Sequence, residues 1–168
     1  MAFVVEDGSG LPNANSYASV QEADDYMTDR NNSEWAALTL TKKQGCLVSA
    51  TEYIDTRWGS KLRGQRSTET QALEFPRKGC GLKSDEVPVR IKSACIQYAL
   101  IASSTPLSPN PQYSESGTPL ISTREKVGPI EEEYKSGENA SSVTWNPYPL
   151  ADSLMQSFIW VTGGRLYR

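Results

Sequence analysis

The chain of 168 residues contains no histidine. That removes the commonest general base, the Ser/His and Cys/His dyads, and the commonest transition-metal ligand. Cysteine is scarce: Cys46, Cys80 and Cys95 show no CxxC spacing. They suggest neither a disulfide scaffold nor a thiolate metal site, and they fit synthesis in a reducing cytosol. Cys46 and Cys95 fall in helical patterns, where a small buried hydrophobe is expected. No run approaches the roughly 20 apolar residues that span a bilayer. The opening MAFVVEDGSG lacks the basic start and apolar stretch of a signal peptide. The glycines at 8, 10, 79 and 81 match no phosphate-cradling motif, and the acids of Asp24-Asp25 and Glu131-Glu132-Glu133 match no calcium loop or two-metal site. The expectation is a protein that is not an enzyme and uses no cofactor and no metal.

What is present is an uneven distribution of charge. The net charge is −3, so any nucleic-acid footprint must be local. Residues 1–29 carry six acids and no base, with Glu22, Asp24, Asp25 and Asp29 forming a candidate acidic interface. Residues 57–92 carry nine bases against four acids. Solvated surface accounts for most asymmetry of this kind. The sharper reading is a protomer with an acidic and a basic flank, suited to head-to-tail association that closes into a ring.

A hydrophobic fraction of 38% with 12 Gly and 10 Pro implies a modest core and long connections in one domain. Phe3-Val4-Val5 reads as a short strand or extended arm within residues 1–18. Ser19 and Glu22 form a capping box that opens a helix to about Arg30, with Val20, Ala23, Tyr26 and Met27 toward the core. Ser33 caps a short turn carrying Trp35. A second long helix starts near Thr39 or Thr41 and ends near Trp58, its stripe made of Leu40, Leu47, Ala50, Ile54 and Trp58. Ser84, Asp85 and Pro88 announce a third, over about 86–103. Four prolines mark residues 104–120 as linker or loop. Residues 121–134 alternate like strand with a break at Gly128-Pro129, a hairpin or tongue. A last helix covers about 150–160, within a C-terminal helix and tail over 148–168. The fold class expected is mainly α (α+β), a small bundle of three to four helices with a short β-hairpin and long loops.

The longest connection inside this frame runs from Arg57 to Gly79. Past Arg57 it holds five bases, Lys61, Arg63, Arg66, Arg77 and Lys78, against Glu69 and Glu74, with Trp58 and Phe75 near its ends. Long loops inside compact domains are usually functional or disordered. Bases interleaved with aromatics suit phosphate contact and base stacking, so all five are candidates to face outward onto DNA or a neighbouring subunit. Trp58 and Phe75 are read instead as anchors pinning the loop to the core. Lys61, Arg63 and Arg66 stay open between solvated charge and a binding role.

The motif order FVVEDGSGLPNANSYASVQEADDY (3–26), ATEYIDTRW (50–58), RGQRSTETQALEFPR (63–77), SDEVPVRIKSA (84–94) and EKVGPIEEEY (125–134) resembles the head–tail adaptor, or connector, proteins of long-tailed phages. Sequences of this kind often carry a DnaT-like single-stranded DNA-binding label. The resemblance implies a helical adaptor that assembles with itself, typically as a dodecamer, beneath the portal protein in the virion neck. It implies a ring that extends the channel for double-stranded DNA, contacted non-specifically, and docks a stopper or tail-completion protein after assembly in the bacterial cytoplasm. It also implies portal docking by the C-terminal segment, with Leu154, Phe158, Trp160, Arg165 and Arg168 as candidates. The alternative is a single-stranded DNA-binding protein of phage replication.

Overall fold

The first three helices begin at small polar side chains that satisfy otherwise orphaned N–H groups. In the computed structural model, which describes residues 2–79, 81, 83–108, 120–124, 133–136 and 145–160, α1 spans Val20–Thr28 and carries the full capping box of Ser19 and Glu22. It stops short of Arg30 because Asn31 takes a left-handed turn (φ 51°). The cap of α2 (Ser33–Ala36) is Asn32 rather than Ser33, its carboxamide accepting from the Trp35 N–H at 2.9 Å. Thr39 caps α3 (Leu40–Trp58). The fold is mainly α with a small antiparallel β component.

α4 (Val89–Ser104) starts about three residues later than its polar lead-in suggests, and Pro88 is its cap residue rather than part of its first turn. A proline disfavours helical backbone in the residue before it, and here Val87 is buried ahead of the helix instead. α5 (Pro149–Met155) continues as a short 3-10 turn to Phe158.

The chain divides into two compact units, Met1–Leu107 with Pro147–Arg168, and Ser108–Asn146. In the first, α3 packs along α4, and α4 against α5. Leu47, Ala50, Ile54 and Trp58 meet a core that also holds Ile91, Ala94, Cys95, Tyr98, Ala151 and Met155. Each large aliphatic there contributes about 1.5–3 kcal/mol. Leu40, expected on the core stripe, is exposed, and so is Leu150: both lie in the first turn of their helix, ahead of its buried residues. Tyr26 is half-buried, its ring covered by the Arg30 guanidinium at 3.4 Å. In the second unit β3 (Leu120–Arg124) pairs antiparallel with β4 (Glu133–Ser136). The Gly128-Pro129 interruption of the expected tongue lies outside the described residues. Among the described residues no helix is long and apolar enough to cross a membrane.

The N-terminal residues are folded in rather than extended. Val5 bridges Ser16 in parallel, and Glu6 is buried with its carboxylate accepting from the Gly8, Gly10 and Leu11 N–H groups, each at 2.9 Å. Gly8 and Gly10 have φ of 104° and 79°, open to glycine without strain.

Candidate functional site

The 59–79 segment has almost no sheet to satisfy its peptide groups, so side chains and a two-residue ladder must do it. Strands β1 (Gln65–Arg66) and β2 (Arg77–Lys78) pair antiparallel, Gln65 opposite Lys78 and Arg66 opposite Arg77. Gln71 is buried inside the turn, its amide N–H groups reaching the carbonyls of Leu73 (2.7 Å) and Pro76 (3.1 Å) while its oxygen accepts from the Thr68 N–H. The Phe75–Pro76 peptide is cis.

Arg77 corrects the expectation that all five bases of the loop are available outside. It is only 6% exposed. Its guanidinium donates to the carbonyls of Arg63 (2.9 Å), Gly64 (2.9 Å) and Glu74 (3.2 Å) and pairs with the Glu74 carboxylate at 2.5 Å. Five donors in a planar fork let arginine serve several carbonyls at once. Arg63 is half-buried and donates to the Ser157 carbonyl. Arg66 is half-buried with its Nε enclosed and lies close enough to Asp55 to favour that carboxylate's charge. Lys61 and Lys78 are exposed, with the Lys61 ammonium 5.3 Å from the centre of the Trp58 ring.

Trp58 and Phe75 are both buried. Trp58 donates its indole N–H to the Tyr98 hydroxyl at 3.2 Å. Phe75 makes edge contacts with Tyr17 (6.1 Å between centroids) and Phe158 (5.8 Å). Neither ring is open for a base to stack on.

Of the acidic cluster, Glu22 pairs with Lys92 at 2.6 Å and Asp24 with Lys43 at 2.8 Å, Asp24 also accepting from the Trp35 indole. Asp25 and Asp29 are exposed. Of the C-terminal candidates, Phe158 is buried, Leu154 is half-buried, and Trp160 stands 66% exposed. Arg165 and Arg168 lie outside the described residues.

Three residues that sequence patterns do not single out tie these parts together. Asp55 accepts from the Tyr17 hydroxyl and, at 3.2 Å, from the Glu74 N–H. The Tyr17 oxygen in turn accepts from the Glu74 and Phe75 N–H groups at 3.0 and 3.2 Å. Burial pushes the Asp55 carboxyl up to about 7, against the Tyr17 and Glu74 hydrogen bonds that favour its charge. Asp152 accepts from Arg57 (2.8 Å), the Tyr98 hydroxyl (2.5 Å) and the Tyr148 N–H (3.1 Å), linking α5 to α3 and α4. A lone Asp in a helical pattern, or a lone Tyr ahead of a helix, carries no signal of such a role; only the chain crossing brings the partners together. Among the described residues no group of three His, Cys, Asp or Glu side chains is placed to hold a metal ion.

The class of protein so defined is a small helical one in which a basic loop is braced from within. A family model described as "Putative DnaT-like ssDNA binding protein" matches residues 1–167, and the chain belongs to that family. No curated protein and no solved structure matches the chain.

Proposed function

We propose that this chain is a structural head–tail adaptor of a tailed bacteriophage, a ring subunit beneath the portal in the virion neck. In this role it extends the DNA channel and gives stopper or tail proteins a surface on which to dock. The observation that carries the reading is the inward use of the 57–79 loop. Its aromatics fill the core and Arg77 is spent on backbone carbonyls, which leaves a braced platform with Lys61 and Lys78 outward. A platform of that kind suits a neighbouring subunit, or DNA that must slide past without being held. The motif order supports the same role. Electron microscopy of particle necks, with native mass spectrometry of the purified protein bound to portal, is expected to reveal a closed ring around DNA. A strict monomer that never joins portal would falsify the reading.

The family's description favours a second reading, a single-stranded DNA-binding protein. It requires tight binding that weakens steeply with salt and falls when Lys61 and Lys78 are changed to alanine. Those two are the clean substitutions, since Arg63 and Arg77 also hold the fold. Flat titrations with oligothymidine at low salt would dispose of it.

A further inference from the structure

Trp160 is the one aromatic among the large hydrophobic side chains found exposed in the described residues. It does not hang from a loose end. Its backbone N–H donates to the Lys61 carbonyl at 2.9 Å, Ile159 bridges Leu62 in antiparallel fashion, and the Arg63 backbone N–H donates to the Phe158 carbonyl at 2.9 Å. Phe158, two residues before it, is buried against Phe75. The backbone beneath the indole is therefore already ordered, and docking there costs little main-chain entropy. Large aromatics on such sites dominate protein–protein affinity.

The loop to which Trp160 is bridged is basic. Lys61 is exposed beside it in the bridge, Arg63 follows, and Lys78 is exposed across the short ladder from Gln65. Of the loop's two acids, Glu74 is engaged by Arg77 while Glu69 is exposed, and in α5 Asp152 is engaged by Arg57. The opposite character appears on α1. Asp25 is exposed and accepts from the Gln21 side-chain amide at 2.8 Å, and Asp29 is the exposed C-cap residue. The last turn of α1 carries no base. Carboxylates at the C-terminal end of a helix face the negative end of its dipole, so both are placed where the protomer itself disfavours them. Arg30 offsets this only in part, its guanidinium lying over the Tyr26 ring and donating to the Tyr26 carbonyl at 2.9 Å.

We infer that the Trp160–Lys61 patch of one copy docks on the Asp25–Asp29 end of α1 of a second copy. The inference rests on the adaptor reading and names the faces by which neighbouring subunits meet. The two faces are built from different residues, so each contact leaves one of each unused and the association propagates head-to-tail until it closes. The lysines of the patch supplement Arg30 as cations for the end of α1, and Trp160 supplies the anchor that the contact buries. A nucleic acid is the weaker occupant: one open aromatic and two outward lysines make a short track for a strand.

The test uses the full chain with three variants, Trp160→Ala, Lys61→Glu, and the double change Asp25→Lys with Asp29→Lys. All change exposed side chains, and circular dichroism checks that each folds. Self-association is followed by sedimentation velocity and by incorporation on portal-bearing capsids. Trp160→Ala is expected to weaken association about thirtyfold, the scale of an aromatic hot spot. Lys61→Glu and the α1 double variant each weaken it about tenfold. Mixing those two in equal amounts restores assembly, because every junction in an alternating ring is then either reversed or native. Wild-type rings that form equally well with Trp160→Ala and Lys61→Glu overturn this interface and leave the adaptor reading standing. A wild-type chain that never assembles, with or without portal, overturns both. Oligothymidine binding that is lost with Trp160→Ala, with association unchanged, assigns the patch to nucleic acid and overturns the inference.

Discussion

Asp55 and Tyr17 hold the Glu74 and Phe75 peptide groups with one shared hydroxyl and one buried carboxylate. The arrangement has a pH signature whose sign follows from burial. The carboxyl sits at about 7 in the folded chain against 3.8 when solvated, with burial the main cause and the charge of Glu74 adding to it. Between those values the folded chain keeps a proton that the unfolded chain has released, so stability falls as pH rises through that window. The full loss, reached above pH about 7, is about 4 kcal/mol. Asp55→Asn keeps an oxygen to accept from Tyr17 and cannot ionise. Urea unfolding from pH 4 to 8 is expected to show a much flatter profile for this variant, with its gain over wild type greatest at the alkaline end. Parallel profiles for the two proteins would mean that Asp55 is ionised throughout. Cys95, pushed up to about 11 chiefly by burial, stays a neutral thiol across this range.

Among the elements, the N-terminal loop is the one whose geometry leaves least latitude. A methyl carbon at Gly8 would stand 2.1 Å from the Asp85 carbonyl oxygen, and one at Gly10 would stand 2.8 Å from the Thr68 hydroxyl. With positive φ at both positions, Gly8→Ala must move backbone and is expected to cost about 2–4 kcal/mol. Hydrogen exchange should locate the damage at residues 6–11 and 84–86, and a change confined to residues 1–5 would contradict the close approach. Little of this was legible in advance. Asp7-Gly8-Ser9-Gly10 announces a turn, but nothing local says that Glu6 fills it from inside or what packs outside. The helices were legible because their signals are local: the Ser19–Glu22 box, the Thr39 cap and the apolar spacing up to Trp58. Pro88 misled because a proline at a helix start satisfies either the cap or the first turn. In the loop, composition revealed its bases but not their direction. Arg77 and Lys78 are neighbours in sequence, yet the pleat sends one to the carbonyls within and the other to solvent.

At the scale of the molecule, the first compact unit is made of two stretches separated by residues 108–146. Their ends meet, since the Tyr148 hydroxyl donates to the Leu107 carbonyl at 3.1 Å. Replacing residues 108–146 by a short Gly/Ser linker is therefore expected to leave the unfolding free energy of the helical unit within about 1 kcal/mol of wild type, because loop-closure entropy changes slowly with length. Loss of the helical transition on deletion would mean that the second unit supports the first. The same discontinuity sets a schedule for the ribosome. Phe158 and Met155 complete a core begun by Tyr17, Ile54 and Phe75, yet they are translated about 50 residues after Leu107, roughly 3–10 s later at 5–20 residues per second. For those seconds a nascent chain displays the apolar faces of α3 and α4 without their lid, a window in which chaperones or a neighbouring nascent copy have first access to the surface that the last helix will claim.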